Sequence, residues 1–198
     1  MIRLGLLGGT FDPPHYGHLV AANEVAWQLH LDRVLWLPAR QNPLKRGEPS
    51  SSAEDRCEMV RLAIAGNPLL ELSRLDLDRP PPSYTVDLLE LLHRDDNELF
   101  FLVGADILPE LARWRSPEEI LRLARLVVVN RPGAPPPDIA GLTALHPDVS
   151  ARVDLVTVPG VAVASRDLRA RVRGDQPIRY LVPPDVERYV AEHGLYQE

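Results

Sequence analysis

The sequence lacks several features that would define other classes of protein. Cys57 is the only cysteine among 198 residues, which excludes an intrachain disulfide and a cysteine-based zinc cluster. No apolar run approaches the ~20 residues that a membrane-spanning helix needs. The run Ile2–Leu7 is too short for a secretory signal peptide and leads directly into two glycines, so we expect no signal peptide. Together these absences favour a cytoplasmic protein.

Composition and charge narrow the class further. Hydrophobic residues make up 45% of the chain and charged residues 25%, as in ordinary globular proteins. The net charge of −6 argues against nucleic-acid binding as the main function and gives no basis for a membrane surface as partner. A chain of this length can bury a substantial core, and we expect residues 1–198 to form a single domain.

Short β-rich runs alternate with helical patterns along the chain. The predicted strands are Ile2–Leu7, Arg33–Leu37, Leu69–Leu72, Leu99–Val103, Leu126–Asn130 and Val153–Val158. The predicted helices are Leu19–Leu29, Ala53–Ala65, Thr85–Arg94, Pro117–Ala124, Arg166–Arg173 and Pro184–His193. Strands separated by helices predict an α/β fold: a doubly wound, Rossmann-like domain with a mostly parallel sheet and helices at the C-terminus.

The most informative segment runs from Leu4 to His18. A short apolar strand breaks at Gly8 and Gly9, and His15 and His18 then follow, three residues apart, where a helical pattern begins. Glycines let backbone amides approach a ligand, and the N-terminus of a helix attracts phosphate. Two imidazoles there could donate to charge that develops on a reacting phosphate. The alternative for either histidine is a cap of the helix that begins near Gly17.

Better-known nucleotide motifs do not fit this segment. No Lys-Ser or Lys-Thr pair follows the glycines, which excludes a P-loop, and Phe11 and Asp12 stand where the dinucleotide fingerprint Gly-x-Gly-x-x-Gly needs a small residue. His15 and His18 lack a third ligand at metal-binding spacing, so no protein metal site is predicted.

The doubly wound fold gives the remaining motifs a common position. Ligands of such sheets bind beyond the carboxyl ends of the strands, where the strand order reverses. We therefore expect one crevice lined by segments that follow successive strands: Gly8–His18, Pro38–Lys45, Gly104–Asp106, Arg131 and Ser165.

The segment from Gly8 to His18 resembles the signature of the His-x-Gly-His nucleotidyltransferases, and specifically the bacterial nicotinate-mononucleotide adenylyltransferases. The resemblance extends along nearly the whole chain. It is carried further by Asn42–Lys45, Arg56–Met59, Ser83–Asp87, Gly104–Asp106, Trp114, Arg131–Gly133 and Tyr180–Pro183. It implies transfer of AMP from ATP to nicotinate mononucleotide, giving nicotinate adenine dinucleotide and pyrophosphate in NAD biosynthesis. Mg²⁺ is then expected only with ATP, held mainly by phosphates.

The resemblance assigns roles to individual residues. His15 and His18 are the expected catalytic residues. The expected ATP-binding residues are Gly8, Gly9, Thr10, Phe11, His18, Gly104, Asp106, Ser165 and Arg169. The expected substrate-binding residues are Asp12, Lys45, Thr85, Trp114 and Arg131.

Taken singly, several of these residues have ordinary alternatives. Thr85 fits a helix cap and Asp106 a loop cap, while Trp114, between two arginines, fits a surface or interface position. Lys45 and Arg131 could be solvated surface charges.

One segment departs from the family pattern. The family has an Ile-Ser-Ser-Thr-x-Ile-Arg element that holds ATP phosphates, and here the aligned residues are Val163–Arg169. Ser165 and Arg169 keep their places, whereas Ala164 and Arg166 replace two hydroxyl residues. Arg166 could supply by charge what those hydroxyls gave, or could lie on the helix surface.

Two other functions stay open at this point. The acceptor could be nicotinamide mononucleotide or phosphopantetheine, or the protein could sense nucleotides without turnover. A homo-oligomer is also left open.

Overall fold

The computed structural model describes residues 1–40, 51–130, 137–139, 142–143 and 148–197. In these residues six strands form one wholly parallel sheet in the order β3-β2-β1-β4-β5-β6. The strands are β1 Ile2–Gly9, β2 Arg33–Pro38, β3 Leu70–Leu72, β4 Asn97–Gly104, β5 Ala124–Asn130 and β6 Val153–Thr157. The predicted α/β class and parallel sheet are confirmed. The strand order reverses between β1 and β4, which places the expected ligand crevice at their carboxyl ends.

The helices lie between the strands and after the last strand. They are α1 Tyr16–Gln28, α2 Ala53–Ile64, α3 Thr85–Leu92, α4 Leu108–Leu111, α5 Pro117–Leu123, α6 Val149–Arg152, α7 Ser165–Arg173 and α8 Pro184–Glu192, with a 3₁₀ turn at Ala105–Ile107. Each predicted helix is present within a few residues of its expected bounds. The largest shift is at α1, which begins at Tyr16 rather than Leu19 because His15 already ends the preceding loop as the N-cap.

The two faces of the sheet are covered by different helices. Phe100, Leu102 and Val127 pack with α1 and α2 on one face. Phe101, Val103 and Val128 pack with α3, α4 and α5 on the other. This alternation is what a parallel sheet buried on both sides requires. No helix in the described part of the chain is long and apolar enough to span a membrane.

A third apolar cluster positions the C-terminal helices. Met59 and Ala63 of α2 pack against Leu168 of α7 and against Val186 and Val190 of α8. The C-terminal segment is therefore anchored on the outer side of α2, close to the loop that follows β1.

Candidate active site

The two histidines lie at the N-terminus of α1, directly beyond the end of β1. His15 occupies the N-cap position with extended backbone, and His18 is the third residue of the helix. Their rings stack with centroids 3.7 Å apart and planes 19° apart. The capping alternative is therefore met in part, because His15 is the N-cap and the His18 side chain accepts from its backbone N–H. The stacking also brings both imidazoles together at the N-terminus of the helix.

A hydrogen bond within the pair defines one proton position. The backbone N–H of His15 donates to His18 Nδ1 at 3.3 Å. Since Nδ1 accepts, the proton of a neutral His18 ring is on Nε2. His18 can then present an N–H donor without carrying a charge.

Gly17 lets the His15 ring lie close to the helix backbone. A Cβ at this position would lie 3.0 Å from both Cε1 and Nδ1 of the His15 ring. Another residue here would therefore require that ring to shift by a few tenths of an ångström. This gives a packing reason for the glycine between the two histidines.

Phe11 forms the floor beneath His18. It is only 2% exposed, and its ring lies 4.9 Å from that of Trp36 and 5.2 Å, edge to face, from that of His18. Its backbone is left-handed, with φ of 52°, which is uncommon for a residue other than glycine. The side chain thus supports His18, and the predicted contact of Phe11 with ATP would have to come from its backbone.

Asp12 differs from what a substrate-binding residue would show. Its carboxylate is 1% exposed and accepts hydrogen bonds from the Tyr196 hydroxyl at 2.6 Å and the Ser51 amide at 3.1 Å. Both carboxylate oxygens are thus used by protein donors. We place Asp12 with the residues that shape the loop, and its predicted contact with substrate gains no support from this geometry.

Arg56 of α2 also binds the loop between β1 and α1. Its guanidinium donates to the carbonyls of Thr10 at 3.0 Å, Ala39 at 2.8 Å and Ser51 at 3.3 Å. Burial lowers the pKa of Arg56, whereas the negative charge of Asp12 opposes that change. Sequence reasoning gave Arg56 no role. A signal was present, because Arg56 lies on the same face of α2 as the buried Met59, Val60 and Ala63.

Two residues of α7 contact the loop between β1 and α1. The Ser165 hydroxyl donates to the carbonyl of Pro13 and the Arg169 guanidinium to that of Asp12, each at 2.8 Å. These two predicted ATP-binding residues therefore do lie beside the histidine loop. Arg166 instead has an 84% exposed side chain that pairs with Asp167 at 3.6 Å, which places it on the helix surface. Ala164 is the N-cap of α7 and makes no side-chain cap.

Gly104 is the last residue of β4, the neighbour of β1 on the other side of the reversal point, and Asp106 lies in the turn that follows it. A Cβ at Gly104 would collide with the Asp106 carboxylate, so the glycine lets that carboxylate lie against the end of the strand. Asp106 is exposed within the 3₁₀ turn. This position agrees with the predicted contact to a ribose hydroxyl, which stays a prediction.

Contacts of the Phe101 ring connect the end of β1 to Trp114, one of the predicted substrate-binding residues. The Phe101 ring is the nearest group on the open side of Gly8, and the same ring meets Trp114 edge to face at 6.0 Å. Trp114 is half-buried against the core rather than on the surface, and no described residue accepts a hydrogen bond from its buried indole N–H. Its neighbour Arg115 lies 4.7 Å over the Tyr84 ring.

Thr85 is the first residue of α3, and Tyr84 precedes it as the N-cap. The alternative that Thr85 is the cap is therefore wrong by one position. Its predicted contact with substrate is not affected. Two other predicted site residues, Lys45 and Arg131, lie outside the described residues.

Comparison with known proteins finds similar sequences along nearly the whole chain. The sequence model of the cytidylyltransferase-like family matches residues 6–182. A probable nicotinate-nucleotide adenylyltransferase of Roseiflexus sp. (strain RS-1) is 49% identical, with 98% of each chain covered. Another, from Thermomicrobium roseum, is 47% identical over 100% of this chain and 92% of that protein.

Solved structures share the fold. A nicotinic acid mononucleotide adenylyltransferase of Plasmodium falciparum, complexed with NaAD, has a TM-score of 0.80 at 17% identity, covering 100% of this chain and 98% of that one. At this identity the likeness concerns the fold, whereas the full-length bacterial relatives concern the family. With the histidine signature built at the reversal point of the sheet, the chain belongs to the nicotinate-nucleotide adenylyltransferases of the cytidylyltransferase-like family.

Proposed function

We propose that the protein transfers the adenylyl group of ATP to nicotinate mononucleotide, forming nicotinate adenine dinucleotide and pyrophosphate. The observation that carries the proposal is the stacked pair of His15 and His18 at the N-terminus of α1. The names of the full-length relatives supply the nucleotide and the acceptor.

The chemistry requires positioning more than acid–base catalysis. An oxygen of the mononucleotide phosphate forms a bond to the α-phosphorus of ATP, while the bond from that phosphorus to the oxygen leading to the β-phosphate breaks. The attacking phosphate is already ionised near neutral pH, so no general base is needed, and pyrophosphate leaves with the negative charge. Catalysis then depends on donors directed at the charge that develops around the α-phosphorus.

The proposed roles combine the positions of the described residues with the roles that the family resemblance assigns. His15 and His18 would donate to oxygens of the α-phosphate, with His18 acting through Nε2–H. Backbone amides of the segment from Gly8 to Phe11, at and just beyond the end of β1, would bind phosphate together with Ser165 and Arg169. Asp106 would accept from ribose. Thr85 and Trp114 would hold the pyridine ring and its carboxylate, and Lys45 and Arg131 would add positive charge.

Members of this family generally use a divalent metal ion. Among the described residues, no group of three or more His, Cys, Asp or Glu side chains could hold one. We propose that the ion is Mg²⁺, which enters with ATP, is bound by phosphate oxygens and water, and neutralises charge on the triphosphate. The histidines and Arg169 would then act on the remaining charge.

The acceptor is tested by pyrophosphate release from ATP and Mg²⁺ with nicotinate mononucleotide, nicotinamide mononucleotide or phosphopantetheine. We expect the highest kcat/KM with nicotinate mononucleotide. A preference for either other acceptor would replace the proposed substrate. Release with none of them would favour the nucleotide-sensing alternative.

The catalytic pair is tested by replacing His15 and His18 with alanine. Loss of one positioned donor typically lowers kcat by about 10²–10³-fold, and we expect at least this for His18→Ala. A folded double variant with wild-type turnover would refute the mechanism. Circular dichroism of each variant establishes that the fold is intact.

Three broader features complete the proposal. We place the protein in the cytoplasm, as a single nucleotidyltransferase domain over residues 1–198, with no nucleic acid or membrane as partner. Light scattering of the purified protein would decide between a monomer and a homo-oligomer.

A further inference from the structure

The C-terminal segment reaches back to the loop that carries the two histidines. The Tyr196 hydroxyl donates to Asp12 Oδ1 at 2.6 Å, although the two residues are 184 positions apart. The same hydroxyl lies 3.8 Å from Met59 Sδ of α2. A hydroxyl bound to a carboxylate at this distance is among the stronger hydrogen bonds in proteins.

We propose that Tyr196 is a positioning residue for adenylyl transfer. By binding the Asp12 carboxylate, it holds the loop between β1 and α1 in the shape that presents His15 and His18 to the α-phosphate. The proposal rests on the proposed function for its kinetic consequence, but its structural part can be tested without turnover.

Asp12 depends on this hydroxyl because it is enclosed by protein. A buried carboxylate oxygen that loses a donor has little water to replace it, so the loop must shift to solvate the charge. The other oxygen is bound by the Ser51 amide, which fixes the carboxylate on one side only. Tyr196 supplies the second fixed point.

A shift of Asp12 would be transmitted to the histidines. Only Pro13 and Pro14 separate Asp12 from His15, the N-cap of α1. Proline rings fix φ, so this connection bends less than an ordinary loop. His15 in turn stacks on His18, and displacement of either ring changes the direction of both donors.

The C-terminal segment is shaped for this contact. After α8, backbone N–H groups of Gly194 and Leu195 bond back to Ala191 and Val190, and the chain turns toward α2. Tyr196 has a left-handed backbone with φ of 68°, an arrangement that persists only when its surroundings impose it. Burial and the Asp12 charge raise the pKa of Tyr196, so its hydroxyl stays protonated as a donor.

The first test uses the ligand-free protein and Tyr196→Phe, which removes only the hydroxyl. We expect the imidazole resonances of His15 and His18 to shift in ¹H–¹³C NMR spectra, after assignment with single His→Ala variants. The matched control is Tyr189→Phe. It removes a hydroxyl of α8 that donates to Asp55 at 2.9 Å rather than to Asp12, and it should leave both resonances in place.

The second test is kinetic. We expect Tyr196→Phe to lower kcat about tenfold with KM for ATP and for nicotinate mononucleotide changed less than about twofold, because alignment is lost and binding is not. In an Asp12→Ala background the same substitution should have no further effect on kcat. Tyr189→Phe should retain wild-type kcat.

Three results would overturn the proposal. The first is that Tyr196→Phe has the same imidazole resonances and the same kcat as Tyr189→Phe. The second is a higher KM with unchanged kcat, which would make Tyr196 a binding residue. The third is a lower melting temperature with unchanged kcat, which would make it merely structural. If the wild-type protein transfers no adenylyl group, the proposed function fails, while the spectra still report on the contact.

Discussion

Arg56 is a charged residue placed where an apolar one would be expected, on the buried face of α2 with 3% of its surface exposed. Three backbone carbonyls from three different segments accept its N–H groups, and the Asp12 charge lies close enough to affect its pKa. Each of those carbonyls is partly buried and would lose this donor if the guanidinium were removed. Arg56 therefore connects the histidine loop, the end of β2 and the start of α2.

Replacement of Arg56 by methionine should destabilise the whole protein. A polar group that loses its hydrogen-bond partner away from water typically costs about 1–3 kcal/mol, and three carbonyls lose one here, so we expect a loss near ~3 kcal/mol in the free energy of unfolding. Urea denaturation measures it. The control is Arg33→Met, which removes an exposed ion pair with Glu71 and should cost less than about 1 kcal/mol. Equal costs for the two variants would contradict the role given to Arg56.

The positions of single site residues were predictable only where they depend on local sequence. The glycines and histidines from Gly8 to His18 were identified because they are neighbours in the chain. The burial of Asp12 was not, since it arises from contacts with Ser51 and Tyr196, far away in sequence. No local pattern distinguishes a carboxylate that binds substrate from one that is covered by a distant hydroxyl.

At the scale of elements, α7 carries one arginine that contacts the histidine loop and another that lies in solvent. Arg169 and Arg166 are three residues apart, yet one bonds to the histidine loop and the other pairs with Asp167 in solvent. We expect Arg169→Ala to raise KM for ATP about tenfold, as for a lost charge-assisted contact to phosphate. Arg166→Ala should leave KM for ATP unchanged. A rise in both variants would return Arg166 to the site, and a rise in neither would remove Arg169 from it.

The N-terminus of α2 gives a prediction that depends on pH. Ser52 accepts from the Asp55 amide at 3.0 Å and donates to the Asp55 carboxylate at 2.6 Å. The hydrogen bond from the Ser52 hydroxyl is the main cause that lowers the pKa of Asp55 below its ordinary 3.8. Because the folded-state pKa is the lower one, this stabilisation is complete above the unfolded pKa and is lost as pH falls through the folded value.

Ser52→Ala should therefore cost about 1 kcal/mol of unfolding free energy at pH 7, as loss of an N-cap does. The cost should shrink below about pH 4, where the Asp55 carboxylate becomes protonated. Urea titrations at several pH values measure it, with Ser150→Ala, at an exposed position of α6, as the control. A cost that is constant with pH would mean that only the amide contact matters.

Most elements were predictable because their patterns are local. The strands read as apolar runs and the helices as amphipathic segments, and the structure moves their bounds by a few residues. β1 continues through Gly8 and Gly9, which the prediction placed in the turn. They remain in the sheet because Gly8 pairs with Leu37 and Gly9 with Pro38 of the neighbouring strand. Strand pairing of this kind is a tertiary contact, so a local pattern does not reveal it.

At the scale of the whole molecule, the sheet order brings segments from the entire chain to one place. The alternation of strands and helices predicted a parallel sheet, and the reversal between β1 and β4 follows from the order in which the strands pair. The C-terminal helices α7 and α8 pack against α2, which places them beside the loop after β1. A ligand bound at the reversal point would thus contact segments that are separate in the unfolded chain, and its binding should stabilise the fold.

ATP with Mg²⁺ should accordingly raise the melting temperature in the absence of acceptor. At a concentration about 100 times Kd, binding to the folded state alone adds about 2.7 kcal/mol. For a chain of this size each kcal/mol corresponds to roughly 2–4 °C, so we expect a rise of about 5–10 °C. In Arg169→Ala, with ATP bound about tenfold more weakly, the same concentration should add only about 1.4 kcal/mol. Differential scanning fluorimetry measures both shifts in melting temperature without turnover. Equal shifts in the wild type and in Arg169→Ala would mean that Arg169 does not contribute to ATP binding, whatever the kinetics show.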